Sequence, residues 1–188
     1  KGQTLYKPVS CLYLLPRNAL LFDVTKQLFS SCAEFFRHQD IGWHLNLSGD
    51  NVHDQVLEDY IFTYLSHYPH PERVTFELLE KDALSDCENY IRFCHRCHKT
   101  GTRVYLDDVS NTQLPREIVD ASDGLKLDPL LVRSLTARDH NAKNVSELCA
   151  TSHQHGIAIV GELIEDEAQL QALLEVGIKY AQGSLLEH

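Results

Sequence analysis

Short apolar runs alternate with longer stretches of helical spacing along the chain. Five of the runs end on a polar residue: Trp43-His44-Leu45-Asn46, Val74-Thr75-Phe76-Glu77, Val104-Tyr105-Leu106-Asp107-Asp108, Leu125-Lys126-Leu127-Asp128 and Ile157-Ala158-Ile159-Val160-Gly161-Glu162. A strand covered on both faces reads as a continuous apolar run, as in parallel α/β sheets. Each run is therefore predicted to be a buried strand with its polar residue at the downstream end. Leu5-Tyr6-Lys7-Pro8-Val9 and Ile178-Lys179-Tyr180-Ala181-Gln182-Gly183 bring the strand candidates to seven.

Helical spacing fills the intervals. A helix is expected from about Asn18 to His38, with Phe22, Leu28, Cys32 and Phe35 on its apolar side. Asp50 or Asn51 is expected to cap the next, striped by Val52, Val56, Tyr60 and Tyr64. Asp82 or Ser85 opens another, with Leu84, Cys87, Ile91 and Cys94 inward, and Gly101 ends it. Shorter helices are predicted over 115–119, 129–135, 144–155 and 166–176. Strands joined by single helices imply right-handed crossovers and a parallel sheet. The predicted fold class is α/β, a TIM-like (β/α) barrel one early strand short of the usual eight, the gap falling between Val9 and Asn18. Such barrels keep their active sites at the downstream ends of the strands, where the polar residues stand.

Composition narrows the functions. The chain has 188 residues, 43% of them hydrophobic, enough for one domain with a substantial core. A formal net charge of -10 argues against wrapping DNA or other nucleic acid. It leaves room for a phosphorylated small ligand, because a metal neutralises acidic residues locally. No apolar segment is long enough to span a membrane, and no signal peptide is read. Six scattered cysteines with no disulfide framework point to a reducing cytosol. In Cys94-His95-Arg96-Cys97-His98 the two cysteines share a helical face, but no second ligand pair stands at zinc-finger spacing. Cys94 is expected in the core, His95 and His98 at the surface. Trp43 is expected to pack the barrel exterior under a helix. Residues 1–185 are taken as the domain and Leu186-Glu187-His188 as an expression-tag scar.

The strand-end residues suggest a hard-cation site. Asp107 and Asp108 alone would read as turn or cap residues. Beside Asn46, Glu77 and Glu162 they read as ligands, since oxygen donors suit hard divalent cations. Lys126 stands inside an apolar run, where a lysine is costly unless paired. Glu80 by itself reads as a helix-start acid.

Asn46-Leu47-Ser48, Phe76-Glu77-Leu78-Leu79-Glu80, Leu106-Asp107-Asp108, Leu125-Lys126-Leu127-Asp128, Val160-Gly161-Glu162-Leu163-Ile164-Glu165 and Gln182-Gly183 together resemble, in order and spacing, the motifs of EAL domains. These are bacterial cyclic di-GMP phosphodiesterases. The resemblance runs from about Asp23 to Leu185 and implies a barrel of the EAL type holding Mg²⁺ or Mn²⁺, with two-metal attack on a phosphodiester. Asn46, Glu77 and Asp107 match metal ligands, and Asp108 the ligand shared with a second metal. Lys126 matches the lysine at the metal-bound water, Glu162 a further carboxylate near the metals, and Gln182 a substrate-side or water-positioning amide. Glu80 matches the glutamate that holds the loop after the Asp-Asp strand. The implied setting is a cytoplasmic domain fused to other signalling domains, in a parent protein that can be membrane-attached, with a homodimer as a candidate assembly.

Two departures stand out. The family's Glu-Ala-Leu motif is not visible. Asn18-Ala19-Leu20-Leu21 resembles it only superficially, with Asn for Glu. The loop after Asp108 reads Val109-Ser110-Asn111-Thr112, where the family has a glycine-bearing Phe-Gly-Thr-Gly; the family uses this loop to couple metal binding to dimerisation. Losing a carboxylate ligand weakens divalent binding and hurts hydrolysis more than nucleotide binding. The expectation is cyclic di-GMP binding with weak or lost hydrolysis. The alternative is an inactive regulatory module that binds a protein or RNA-decay partner. An unrelated metal-dependent barrel hydrolase would share the carboxylates, but it gives no reason for the Asn-Leu-Ser and Gln-Gly motifs.

Overall fold

The computed structural model describes residues 19–186, so the opening strand candidate at Leu5–Val9 lies outside the described residues. Six strands are described: β1 (Trp43–Leu47), β2 (Val74–Leu79), β3 (Arg103–Val109), β4 (Gly124–Leu127), β5 (Ala158–Gly161) and β6 (Tyr180–Ala181). All pairings are parallel, and the strands lie side by side in chain order. The helices are α1 (Ala19–Phe36), α2 (Gly49–His53), α3 (Gln55–Leu65), α4 (Glu80–Ser85), α5 (Cys87–Thr100), α6 (Arg116–Ala121), α7 (Pro129–Ala137), α8 (Ala142–Gln154) and α9 (Glu167–Glu175). None is long and apolar enough to cross a membrane.

The two faces of the sheet differ in chemistry. Trp43, Leu45, Leu47, Val74, Phe76, Leu78, Val104, Leu106, Leu125, Leu127 and Ile159 are buried on one face, in one core with Phe29 of α1, Ile61 of α3 and Phe93 of α5. The other face follows from the register. His44 lies opposite Thr75, Asn46 opposite Glu77, Glu77 opposite Tyr105, Tyr105 opposite Gly124, and Lys126 opposite Val160. That face is polar. The expectation of strands apolar on both sides is therefore corrected. β1 alternates buried and exposed residues, and β2 buries both faces only by including Thr75 and Glu77. A period of two sends alternate residues inward.

Helix details also depart from the expected stripes. α1 packs through Thr25, Phe29 and Ala33 with Phe22 and Phe36 beside them, a spacing of three and four, while Leu28 lies outward and Phe35 is 67% exposed. A small alanine and a threonine hid that face. Trp43 stacks on Phe36 at 5.9 Å between centroids, beneath α1 as expected. The single helix expected after Asp50 is two. Ser48 caps α2 in a capping box with Asn51. Asp54 then caps α3 through the backbone N–H groups of Val56 and Leu57, which turns Val56 out to 69% exposure. Asp86 likewise separates α4 from α5 and leaves Leu84 exposed. Cys94 and Cys97 are buried on α5, His95 and His98 face outward, and the five described cysteines are free.

Candidate active site

The polar face converges at the downstream ends of the strands. The Lys126 ammonium on β4 lies 3.0 Å from Glu77 Oε2, 2.9 Å from Asp107 Oδ1 and 2.8 Å from Glu162 Oε1. One cation thus gathers carboxylates from β2, β3 and the end of β5. Burial alone would depress the Lys126 pKa. Its contacts with Glu162, Asp107 and Glu77 overcome that and hold it raised, so the ammonium stays charged. Burial pushes the Glu77 carboxyl up, but hydrogen bonds from His44 and Lys126 outweigh it and hold Glu77 below its ordinary range. Glu162 is raised, chiefly by burial and against the pull of Lys126.

Neighbouring residues on a regular strand point to opposite faces. Asp107 and Asp108 escape this, because the β3–β4 register shifts between Leu106 and Val109 and Asp108 takes φ 54. Aspartate tolerates that left-handed conformation better than most residues. Among the described residues, Asp107, Asp108 and Glu162 form a group whose ligand oxygens lie within 4.8 Å of one another. Asp108 is raised by burial and by the neighbouring Asp107 and Asp128. Asp107 Oδ1 is buried, with the Lys126 ammonium 2.9 Å away. One ammonium among four carboxylates, all of them oxygen donors, fits a hard divalent cation.

The remaining predicted residues fall around this centre. Gln182 donates from Nε2 to Glu162 Oε1 at 2.7 Å. Its position depends on Gly183, where any Cβ would collide with the Ile164 backbone. That close approach carries the bonds from Ile164 N to Gln182 O and from Leu185 N to Ile164 O, both 3.0 Å. Glu80 is buried and accepts from Ser110 N at 3.0 Å, Ser110 Oγ at 2.7 Å and Asn111 N at 3.0 Å, which ties α4 to the loop after β3. Asn46 sits beside Glu77 in register but is exposed, and its side chain makes no hydrogen bond among the described residues. Asp128, the last residue of its run, caps α7 by accepting from Leu130 N at 2.6 Å.

Two residues went unread in the sequence. His44 Nδ1 lies 2.6 Å from Glu77 Oε1. Tyr105 packs edge-on to the His44 ring at 5.6 Å and lies so close over Gly124 that a Cβ there would sit 2.6 Å from it. The period of two could have found both, since His44 stands two before Asn46 and Tyr105 two before Asp107.

This geometry, a parallel sheet with acids gathered round one lysine at its downstream rim, has clear relatives. The model of the EAL domain family matches residues 1–188, and the chain belongs to that family. The cyclic di-GMP phosphodiesterase RocR of Pseudomonas aeruginosa is 27% identical over 188 residues, covering 95% of this chain and 47% of RocR. The PaMucR phosphodiesterase, solved as its c-di-GMP complex, superposes with a TM-score of 0.85 at 22% identity, covering 97% of this chain and 83% of that one. BlrP1 of Klebsiella pneumoniae, solved as a calcium and cyclic di-GMP complex, gives a TM-score of 0.75 at 18% identity, covering 95% of this chain and 47% of that one. The two structural likenesses establish the fold, the EAL barrel. The chain spans less than half the length of the curated relatives it matches.

Proposed function

We propose that this domain binds cyclic di-GMP at the downstream rim of the sheet, with hydrolysis to the linear dinucleotide weak or lost. The observation that carries this reading is the Lys126 cluster, three carboxylates from β2, β3 and the residue after β5 within 3.0 Å of one ammonium, in a chain of the EAL family. Asn46, Glu77, Asp107 and Asp108 would hold Mg²⁺ or Mn²⁺. When bound, such ions supply Lewis-acid polarisation of the phosphodiester and activation of water.

The chain's own residues have definable tasks. Lys126 keeps its positive charge and sits where negative charge develops in attack at phosphorus. Glu162, bridged between Lys126 and Gln182, is the carboxyl placed to take a proton from the attacking water. Gln182 fixes the Glu162 carboxylate and retains amide capacity for substrate. Glu80 holds the loop that follows the Asp pair. Weak turnover is expected because the sequence contains no Glu-Ala-Leu triplet and the loop Val109–Thr112 has no glycine.

Calorimetry with cyclic di-GMP, with and without Mg²⁺, tests the binding. Chromatography of the Mn²⁺ reaction tests the turnover. Heat of binding with little linear product is expected. Absence of binding in both conditions sinks the nucleotide reading and favours a partner-binding module. Rapid linear product sinks the claim of weak hydrolysis.

A further inference from the structure

Glu77 is held at both oxygens. Lys126 takes Oε2 at 3.0 Å, and His44 Nδ1 meets Oε1 at 2.6 Å. Lys126 also serves Asp107 and Glu162, so its hold on Glu77 is shared. The His44 contact is the shorter of the two and is directed at one oxygen. Glu77 is ionised, and a carboxylate only accepts, so the proton of this bond is on His44 Nδ1. The ring is oriented from its other side by the edge-on Tyr105, which Gly124 seats against the sheet.

His44 is not filling core. Its side chain is 47% exposed, and it borders a cavity of about 340 Å³ lined also by Thr75, Arg73, Arg103 and Tyr105. On β1 it stands two residues before Asn46, so both project from the same face, and Asn46 lies opposite Glu77 in register. One strand thus presents a candidate ligand and, next to it on that face, a donor that aims a second ligand across the β1–β2 pair.

We infer that His44 is a positioning residue for the metal site: its Nδ1–H fixes the rotation of the Glu77 carboxylate, and with it the direction of the lone pairs offered to a divalent cation. The inference rests on the function proposed above, and it adds a residue of this chain that does not itself touch the ion. Hydrogen-bonding partners of ligating carboxylates govern metal affinity, and their loss typically weakens it by about 10–100-fold. A merely structural His44 would change thermal stability and leave metal affinity alone.

The test is Mn²⁺ titration of the whole chain, followed by electron paramagnetic resonance of the free ion, for wild type, His44→Ala and His44→Asn. Asparagine places an N–H donor where Nδ1 stands. His44→Ala is expected to weaken Mn²⁺ binding about 10-fold, and His44→Asn to recover most of that loss. The half-exposed position makes both variants compatible with the fold, and circular dichroism confirms it. If wild type binds Mn²⁺ and His44→Ala binds it equally well or more tightly, the inference fails while the proposed function stands. It also fails if His44→Asn is as weak as His44→Ala. A wild type that binds no Mn²⁺ overturns both.

Discussion

Two charge clusters with buried acids stand out among the described residues, and they are built on opposite plans. On the outer layer, Glu58 of α3 is 2% exposed and accepts two hydrogen bonds of 2.8 Å from Arg92, with Arg96 at 3.1 Å. Arg96 also pairs with Asp59, so two anions meet two cations, and both arginines reach solvent. At the rim of the sheet, one ammonium serves Glu77, Asp107 and Glu162, with Asp108 adding a fourth carboxylate. The outer cluster is balanced and saturated, as expected of a strut between helices. The inner one has an excess of anions. Acids concentrated that way destabilise the fold by themselves, and they make chemical sense as a site with capacity for a further cation.

The largest effect separating the two should come from removing their central charges. Lys126→Met leaves three buried carboxylates without their shared partner and is expected to cost about 3–5 kcal/mol in urea unfolding. Glu58→Gln keeps the shape and leaves arginines that can turn to water, so about 1–2 kcal/mol is expected. The contrast breaks if Glu58→Gln proves as costly as Lys126→Met.

Next in size is the response to metal. A ligand that binds only the folded state stabilises by about 2.7 kcal/mol at one hundred times its Kd. Thermal unfolding with increasing Mn²⁺ should show this rise for wild type and for Glu58→Gln, and not for Asp107→Asn. A rise unchanged in Asp107→Asn would place the ion elsewhere and undo the distinction between the clusters.

Much of this arrangement was readable in the chain. The parallel sheet and the places of its strands followed from short apolar runs separated by helical stretches, and Lys126 stood out because an apolar run should not contain an unpaired lysine. What stayed hidden had specific physical causes. His44 went unread because its role depends on Glu77, 33 residues away. The face of α1 was misread because Ala33 and Thr25 carry little hydrophobic signal, although they pack as closely as Phe29. The splits at Asp54 and Asp86 come from side-chain caps inside stretches that keep helical spacing, so periodicity runs through them. The left-handed turn at Asp108 needs the register shift to be seen, and no residue type announces it.

A smaller effect lies in the acid range. Glu77 is held below the usual 4.5 in the folded chain. A depressed carboxyl contributes stability that is complete above the unfolded pKa and lost as pH falls through the folded one. Glu162 runs the other way: its folded pKa is raised, so its ionisation costs stability as pH climbs through that value. Melting curves from about pH 5 down to pH 3 should therefore fall more steeply for wild type than for Glu77→Gln. Parallel curves would mean that the bonds from His44 and Lys126 do not hold the carboxylate as described.

The smallest expected change concerns backbone strain at the same rim. Asp108 and Leu163 both adopt left-handed conformations, with φ 54 and φ 50. Aspartate tolerates this; a leucine, branched and without a polar side chain to bond locally, is strained by about 1 kcal/mol or more. Leu163 is held there from both sides. Glu162 is fixed by Lys126 and Gln182, and the Ile164 backbone is bonded to Gln182 O and Leu185 N. Its side chain is 61% exposed and so recovers little by burial. Leu163→Gly relieves the strain but gives the unfolded chain more freedom, at a cost of about 0.5–1 kcal/mol. The net gain should be no more than about 1 kcal/mol, or about 2–4 °C in Tm for a domain of this size. Asp108→Gly has less strain to relieve and removes a carboxylate, so it should leave Tm nearly unchanged while weakening Mn²⁺ binding. A destabilised Leu163→Gly would show that the leucine side chain makes contacts worth more than its strain, and that the two left-handed residues differ for a reason other than their tolerance of the conformation.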